Sequence, residues 1–249
     1  MIILKSPSAL ARMRDAGRIV ARVLQRLREV VRPGVTTGRL EEEACALIGR
    51  LGGRPSFKGY RGFPGAICSS INEEVVHGIP DLYRVLAEGD IVSVDVGVIY
   101  RGYQGDAAIT VPVGMVTPAV ERLLAVTERA LWEGIAQSRQ PNRTGDISAA
   151  IQGYVESQGF NVVREYTGHG IGRLMHEDPQ IPNFGQPRTG PRLRSGMTFA
   201  LEPMVIAGDW KTRTLDNGWT VVSSDGALSA HFEHTVAVTE DEPEVLTSL

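Results

Sequence analysis

A chain of 249 residues with 42% hydrophobic and 22% charged side chains has ordinary globular composition and is long enough to bury a sizeable core, as one large domain or two small ones. Its net charge of −3 offers no basic field for nucleic acid, and its two cysteines, Cys45 and Cys68, are too few for a disulfide framework. No apolar run reaches the ~20 residues that span a bilayer, and Met1-Ile-Ile-Leu-Lys5 lacks the apolar core of a signal peptide, so the sequence reads as cytoplasmic.

The first predicted element is a helix. Leu10, Met13, Gly17, Val20, Leu24, Leu27 and Val31 recur at spacings of three and four, which aligns them as one apolar stripe from near Ser8 to a stop at Pro33-Gly34. The arginines between them form a solvated opposite face. A second helix follows, with Thr37 as its cap, Leu40, Ala44, Leu47, Ile48 and Leu51 on its buried side, and Gly52-Gly53 at its end. Asp90-Ile-Val-Ser-Val-Asp-Val-Gly-Val-Ile-Tyr100 and Tyr103-Gln-Gly-Asp-Ala-Ala-Ile-Thr-Val111 then read as strands. Arg101-Gly102 between them is turn chemistry, so the pair forms a hairpin. Thr117-Pro118 opens a third helix through Leu123, Leu131 and Ile135, and Thr144 opens a fourth through Ile147, Ile151 and Val155 to Gly159. Met197-Thr-Phe-Ala-Leu201 and Ser229-Ala-His-Phe-Glu-His-Thr-Val-Ala-Val238 are further strands.

The order helix, helix, strands thus occurs twice. Thr37-Gly-Arg-Leu40 matches Thr144-Gly-Asp-Ile147, and Leu86-Ala-Glu-Gly-Asp-Ile-Val-Ser-Val-Asp95 matches Leu193-Arg-Ser-Gly-Met-Thr-Phe-Ala-Leu-Glu202, both at an offset of 107 residues (144 − 37 and 193 − 86). A shared offset argues for two related halves, about 1–112 and 113–249. No linker-like segment separates them, so the chain is expected to be one domain, 1–249, and the offset places Glu202 where Asp95 stands.

Strands tolerate aspartate poorly, so Asp95 needs a partner. In a hairpin with an even loop, directly opposed residues differ by an odd number; 106 − 95 = 11 meets that test, and Asp95 and Asp106 are expected to face each other. Carboxylates that close repel unless a proton or cation lies between them. Pro203 forces Glu202 into extended backbone at a strand end. Glu233 lies in a strand pattern with His231 on its own face and Phe232 and His234 on the other. The glycines around His169, in Thr167-Gly-His-Gly-Ile-Gly172, are expected to let the backbone turn sharply and expose an imidazole.

Singly, each of these has an ordinary reading: an edge or ion-paired Asp95, a backbone-bonded His169, and Glu202 and Glu233 paired with Arg192, Arg194 or Arg213. Jointly they read as one metal site. Four carboxylates and an imidazole favour harder divalent ions over structural zinc, in numbers that suit two ions sharing ligands, and imply a di-metal hydrolase. Competing motifs fail. Arg173 stands where a third dinucleotide-fingerprint glycine would fall, and no Walker lysine follows. His231-Phe-Glu-His234 and His176-Glu177 lack the helical two-histidine spacing of zinc proteases, and neither a Gly-x-Ser-x-Gly elbow nor a catalytic-thiol signature around Cys68 is present.

Tyr60-Arg-Gly-Phe-Pro64, Cys68-Ser-Ser-Ile-Asn-Glu-Glu-Val-Val-His-Gly-Ile-Pro80, the two Asp strands, Gly168-His-Gly-Ile-Gly172, Leu201-Glu-Pro-Met204 and Ser229-Ala-His-Phe-Glu-His234 fall in one order along essentially the whole chain. Together they resemble type I methionine aminopeptidase. The resemblance implies an α/β pita-bread fold: a pseudo-twofold repeat with a curved antiparallel sheet and outer helices. It also implies two divalent ions (Co, Mn, Fe or Zn) on Asp95, Asp106, His169, Glu202 and Glu233, the five residues already singled out. By the same resemblance His77 contacts the scissile amide, His176 the carbonyl oxygen, a metal-activated hydroxide attacks the carbonyl, and Glu202 relays the proton. Phe57, Tyr60, Phe63, Cys68, Met175 and Trp219 are implied to line a methionine pocket. The chain departs from the family pattern at Met175, where many relatives carry an aromatic residue, and at Phe63, where tyrosine is frequent. The implied substrate is the N-terminus of a nascent polypeptide with a small second residue, met at the ribosome by a compact, monomeric bacterial-type enzyme without membrane or specific nucleic-acid partners. The alternatives are an X-Pro peptidase of the same fold, which usually brings an additional N-terminal domain, and a non-catalytic binding platform, which would be expected to have lost ligands.

Overall fold

Prolines and hydroxyls mark where the helices begin. In the computed structural model, which describes residues 1–249, α1 runs Pro7–Val30 with Ser6 Oγ accepting from the Ala9 N–H, and α2 runs Thr37–Arg50 with Thr36 Oγ1 accepting from the Arg39 N–H. α3 runs Pro118–Gln137 with Thr117 as cap, and α4 runs Thr144–Ser157, its start held by Asp146, whose carboxylate accepts from the Arg143 N–H. The first helix therefore starts ahead of Ser8. Thr37 and Thr144 are first helical residues and not caps; Thr37 Oγ1 instead donates to the Asp81 carbonyl. The cause is the chain before each helix. Thr36 and Arg143 are held extended by isolated antiparallel bridges to Val85 and Arg192, and extended backbone is what a cap position requires. These two bridges are themselves 107 residues apart (143 − 36 and 192 − 85), as are both ends of α2 and α4.

The strands are β1 (Arg54–Pro55), β2 (Cys68–Ile71), β3 (Glu74–Val76), β4 (Ile91–Tyr100), β5 (Tyr103–Pro112), β6 (Asn161–Val162), β7 (Thr167–Gly170), β8 (Glu177–Pro182), β9 (Thr198–Leu201), β10 (Met204–Ile206), β11 (Thr212–Thr214), β12 (Val221–Ser223), β13 (Ser229–His231), β14 (Glu233–Ala237) and β15 (Glu244–Val245). Nine form an antiparallel main sheet in the order β1-β4-β5-β14-β9-β7-β8, with β2 also on β4 and β15 also on β14. β13-β10-β6 and β11-β12-β3 are smaller sheets. The segment 229–238, expected as one strand, breaks at Phe232. That ring is buried among core side chains; β13 pairs with β10, while β14 enters the main sheet between β5 and β9.

Period-2 alternation decides what each face of the main sheet carries. Val92, Val94, Val96 and Val98 of β4 pack with Val20, Leu27, Leu40 and Ile48 of α1 and α2. Phe199, Leu201 and Val236 pack with Leu123, Leu131, Ile147 and Ile151 of α3 and α4. Fully burying each such side chain contributes ~1.5–3 kcal/mol, and a one-residue slip would turn Asp95 into that apolar layer, so the register is firmly held. The face away from the helices is left to the polar residues. No helix is long and apolar enough to cross a membrane.

Candidate metal centre and pocket

The acids and the imidazole lie on two neighbouring rows across the main sheet. The turn Arg101-Gly102 has positive φ at both residues (48° and 79°), as a two-residue hairpin of matching twist demands, and it pairs Tyr100 with Tyr103. That register sets Asp95 opposite Ala108 and Asp106 opposite Gly97. The expectation that the two aspartates oppose each other directly is corrected: they are diagonal neighbours on one face, two residues out of step, because a two-residue turn fixes the pairing sum. Ala108 in turn pairs with Glu233, so a small side chain separates Asp95 from Glu233. On the next row Asp106 adjoins Thr235, which accepts from the Asp106 N–H and donates to its carbonyl; Thr235 pairs with Ala200, and Ala200 with His169. Alanine at 108 and 200 leaves space above the sheet between the polar side chains.

His169 does not sit in a sharp turn. It is a regular residue of β7, and Gly168 and Gly170 are there for close approach: a Cβ on Gly168 would stand 2.4 Å from the Ala200 carbonyl oxygen, and one on Gly170 2.2 Å from that of Asp178. Its Nδ1 lies 2.9 Å from the Gly170 carbonyl oxygen, which assigns the proton to Nδ1 and leaves the Nε2 lone pair free. Nε2 is 3.6 Å from Glu202 Oε1 and 3.9 Å from Asp106 Oδ2. Ligand atoms of Asp106, His169 and Glu233 all lie within 4.8 Å of one another, and Asp95 and Glu202 line the same cavity. Neither Glu202 nor Glu233 pairs with an arginine; the only nearby cationic candidate, His231 Nε2, is 3.8 Å from Glu233 Oε2.

Burial dominates the electrostatics. It pushes Asp95 up to about 7, against hydrogen bonds from Cys68 and Asp106 that hold it down. It raises Asp106, Glu202 and Glu233 well above the usual carboxylate range, with repulsion from the neighbouring acids adding to it. Burial, with His176 nearby, lowers His169 to about 3 and His77 to about 4, so both imidazoles are neutral at pH 7. Asp95 Oδ1, Asp106 Oδ1 and Glu233 Oε1 are buried and accept no hydrogen bond. Isolated buried carboxylate oxygens are costly unless paired or bound to metal. The donor set fits divalent cations: anionic oxygens, and an imidazole whose second nitrogen is tied to a carbonyl.

Above these residues is a cavity of about 150 Å³, a size that accommodates a benzene-sized group. Phe57, Tyr60, Phe63, Cys68 and Trp219 form its wall, with Phe63 and Trp219 edge to face at 5.2 Å. His77 and His176 stand on its flanks. His77 has φ 60°, with its ring edge-on to Tyr166 and Trp219. The His176 ring lies 4.1 Å from that of His169, and its Nδ1 is 2.9 Å from the Tyr60 hydroxyl. Met175 is the exception among the expected pocket residues. It is buried one layer back with Met13, Tyr103 and Ile171, its Cε 2.9 Å from where a Cβ on Gly97 would stand. Sequence reasoning missed Arg61, which lines the cavity mouth, and Thr235, which ties Asp106 to β14. Arg61 sits inside a recognised motif but on an exposed turn, where residue type alone signals nothing.

A profile of metallopeptidase family M24 matches residues 11–240. A methionine aminopeptidase of Clostridium acetobutylicum is 51% identical over 247 residues, 99% of both chains. The crystal structure of a methionine aminopeptidase from Thermotoga maritima superposes with a TM-score of 0.99 at 49% identity over the full length of both chains. A prolidase from Pyrococcus furiosus shares the fold at a TM-score of 0.81 and 18% identity; this chain spans 66% of it.

Proposed function

This chain belongs to metallopeptidase family M24 and, within it, to the methionine aminopeptidases of pita-bread fold, and on that premise we propose how its residues divide the work of removing an initiator methionine. The observation that carries the proposal is the cluster of partnerless buried carboxylate oxygens around an imidazole already locked in the metal-binding tautomer. Asp95, Asp106, His169, Glu202 and Glu233 hold two divalent ions. Bound there, such ions lower the pKa of a water toward ~7 and polarise a carbonyl.

The protein's own groups do the rest. Glu202, at the strand end beside His169, takes the proton from the attacking water and passes it to the leaving amine. His77 and His176, kept neutral by burial, each donate one N–H: His77 to the scissile amide, and His176 to the carbonyl oxygen as it gains negative charge. For His176 to donate through Nε2, its Nδ1 must accept, and the Tyr60 hydroxyl is placed to supply that bond. The wall of Phe57, Tyr60, Phe63, Cys68 and Trp219 takes one unbranched thioether and repels charge. A residue following the methionine must lie beside the ligands, which favours small side chains. Substrates of this kind are new polypeptide N-termini, met in the cytoplasm and near the ribosome by the monomeric enzyme.

The test compares Met-Ala-Ser, Met-Lys-Ser and Leu-Ala-Ser peptides with each of Co(II), Mn(II), Fe(II) and Zn(II). Met-Ala-Ser is expected to be cleaved far faster than the others; equal rates on all three would remove the pocket assignment.

A further inference from the structure

Arg61 is the one cationic side chain among the residues that line the cavity, and the mechanism gives it no role. It lies at the mouth, exposed, in left-handed backbone (φ 50°, ψ 20°) that a non-glycine residue adopts at a cost. Its guanidinium lies over the Tyr60 ring, 5.4 Å from the centroid, and no carboxylate pairs with it. Tyr60 in turn stacks on His176 at a centroid separation of 5.4 Å and an interplanar angle of 11°. Two such steps put the guanidinium within about 11 Å of the His176 ring. An extended peptide advances ~3.3–3.6 Å per residue, so this reach covers roughly the three residues after the scissile bond.

We propose that Arg61 is a specificity-determining residue that recognises acidic side chains at the third and fourth positions of the substrate, so that N-termini of the type Met-small-acidic-acidic are preferred to their basic counterparts. The inference rests on the aminopeptidase reading above, because it takes the methionine to be seated in the cavity. Chemistry favours acids over other partners. A guanidinium already over an aromatic face keeps its five N–H donors in a planar fork that matches a carboxylate. The acids deeper in the cavity are withdrawn from it by burial and committed to the metal site. Met-Lys-rich termini would meet like charge at the mouth.

The experiment measures kcat/KM on the amidated peptides Met-Ala-Asp-Asp-Ala, Met-Ala-Ala-Ala-Ala and Met-Ala-Lys-Lys-Ala, for the wild-type metalloenzyme and for Arg61→Asn, Arg61→Glu and Arg61→Lys. Exposed ion pairs are worth up to ~5-fold each, so the wild type should prefer the acidic over the basic peptide by roughly 5- to 20-fold, and ~0.5 M salt should shrink the ratio toward 1. Arg61→Asn, which tolerates left-handed backbone, should flatten the ratio, Arg61→Glu should invert it, and Arg61→Lys should restore part of it. Because each ratio is internal to one variant, a loss of folded enzyme cancels. A wild-type ratio near 1, or a ratio unmoved in Arg61→Glu, would overturn the assignment. Failure to cleave even the alanine peptide would instead bring down the aminopeptidase reading.

Discussion

β4 and β9 begin 107 residues apart (198 − 91) and carry Asp95 and Glu202 at matching places, yet β4 runs for 10 residues and β9 for 4. The long strand pairs with β5 along its whole length, so Asp95 and Asp106 are set relative to each other inside one hairpin. In the second half the ladder stops at Glu202, because Pro203 has no N–H to donate. His169, Glu202 and Glu233 therefore come from three separate stretches of chain, aligned only when β14 docks between β5 and β9 and β7 on the far side of β9. One half presents its ligands by local pairing, and the other by assembly. An internal repeat can thus preserve the position of an acid while changing what holds it.

The histidines test this contrast most severely. His77 belongs to the first half and His169 to the second, and both precede Gly-Ile. His77→Ala should lower turnover by the ~10²–10⁴-fold typical of a positioned proton donor while metal content stays at the wild-type level. His169→Ala should instead lose affinity for one ion, since it removes the only nitrogen ligand. Calorimetric titration with Mn(II) alongside peptide turnover decides the matter; loss of an ion in the first variant and retention of both in the second would reverse the two roles.

The repeat-related acids come next. Glu202→Gln should cut turnover at least ~10²-fold even at saturating metal, because the amide cannot relay a proton. Asp95→Asn should demand more metal yet recover most of its turnover when metal is saturating. Equal, unrescued losses would make the two positions functionally equivalent and erase the asymmetry between the halves.

The smallest effect concerns pH. Asp95, raised to about 7 from its ordinary value, gives the metal-free fold a contribution that is fully present below ~4 and lost as pH rises through about 7. The buried histidines, lowered to about 3 and 4, act oppositely, destabilising the fold as pH falls below ~6.5. A bound cation cancels the first penalty, and its binding needs the acids deprotonated. The rise in Tm on adding Mn(II) should therefore be larger at pH 8 than at pH 5.5. Equal increments would show that the carboxylates ionise in the fold without a counter-charge.

The sequence by itself was enough to name the five clustered polar residues and the four helices. Apolar stripes, the valine alternation around Asp95 and the 107-residue offset are all properties of residues close in the chain, and local periodicity is what a short peptide unit's geometry imposes. It misjudged what depends on partners. Thr37 became a helical residue because Val85 holds Thr36 extended, and the aspartates went diagonal because the Arg101-Gly102 turn fixes the pairing. The glycines beside His169 admit neighbouring carbonyls, Met175 was buried by Met13 and Tyr103 approaching from elsewhere in the chain, and Arg61 reached the cavity mouth through a left-handed turn. Register between distant strands and the choice of a side chain's neighbours follow from packing the whole chain at once, so only the tertiary structure decided them.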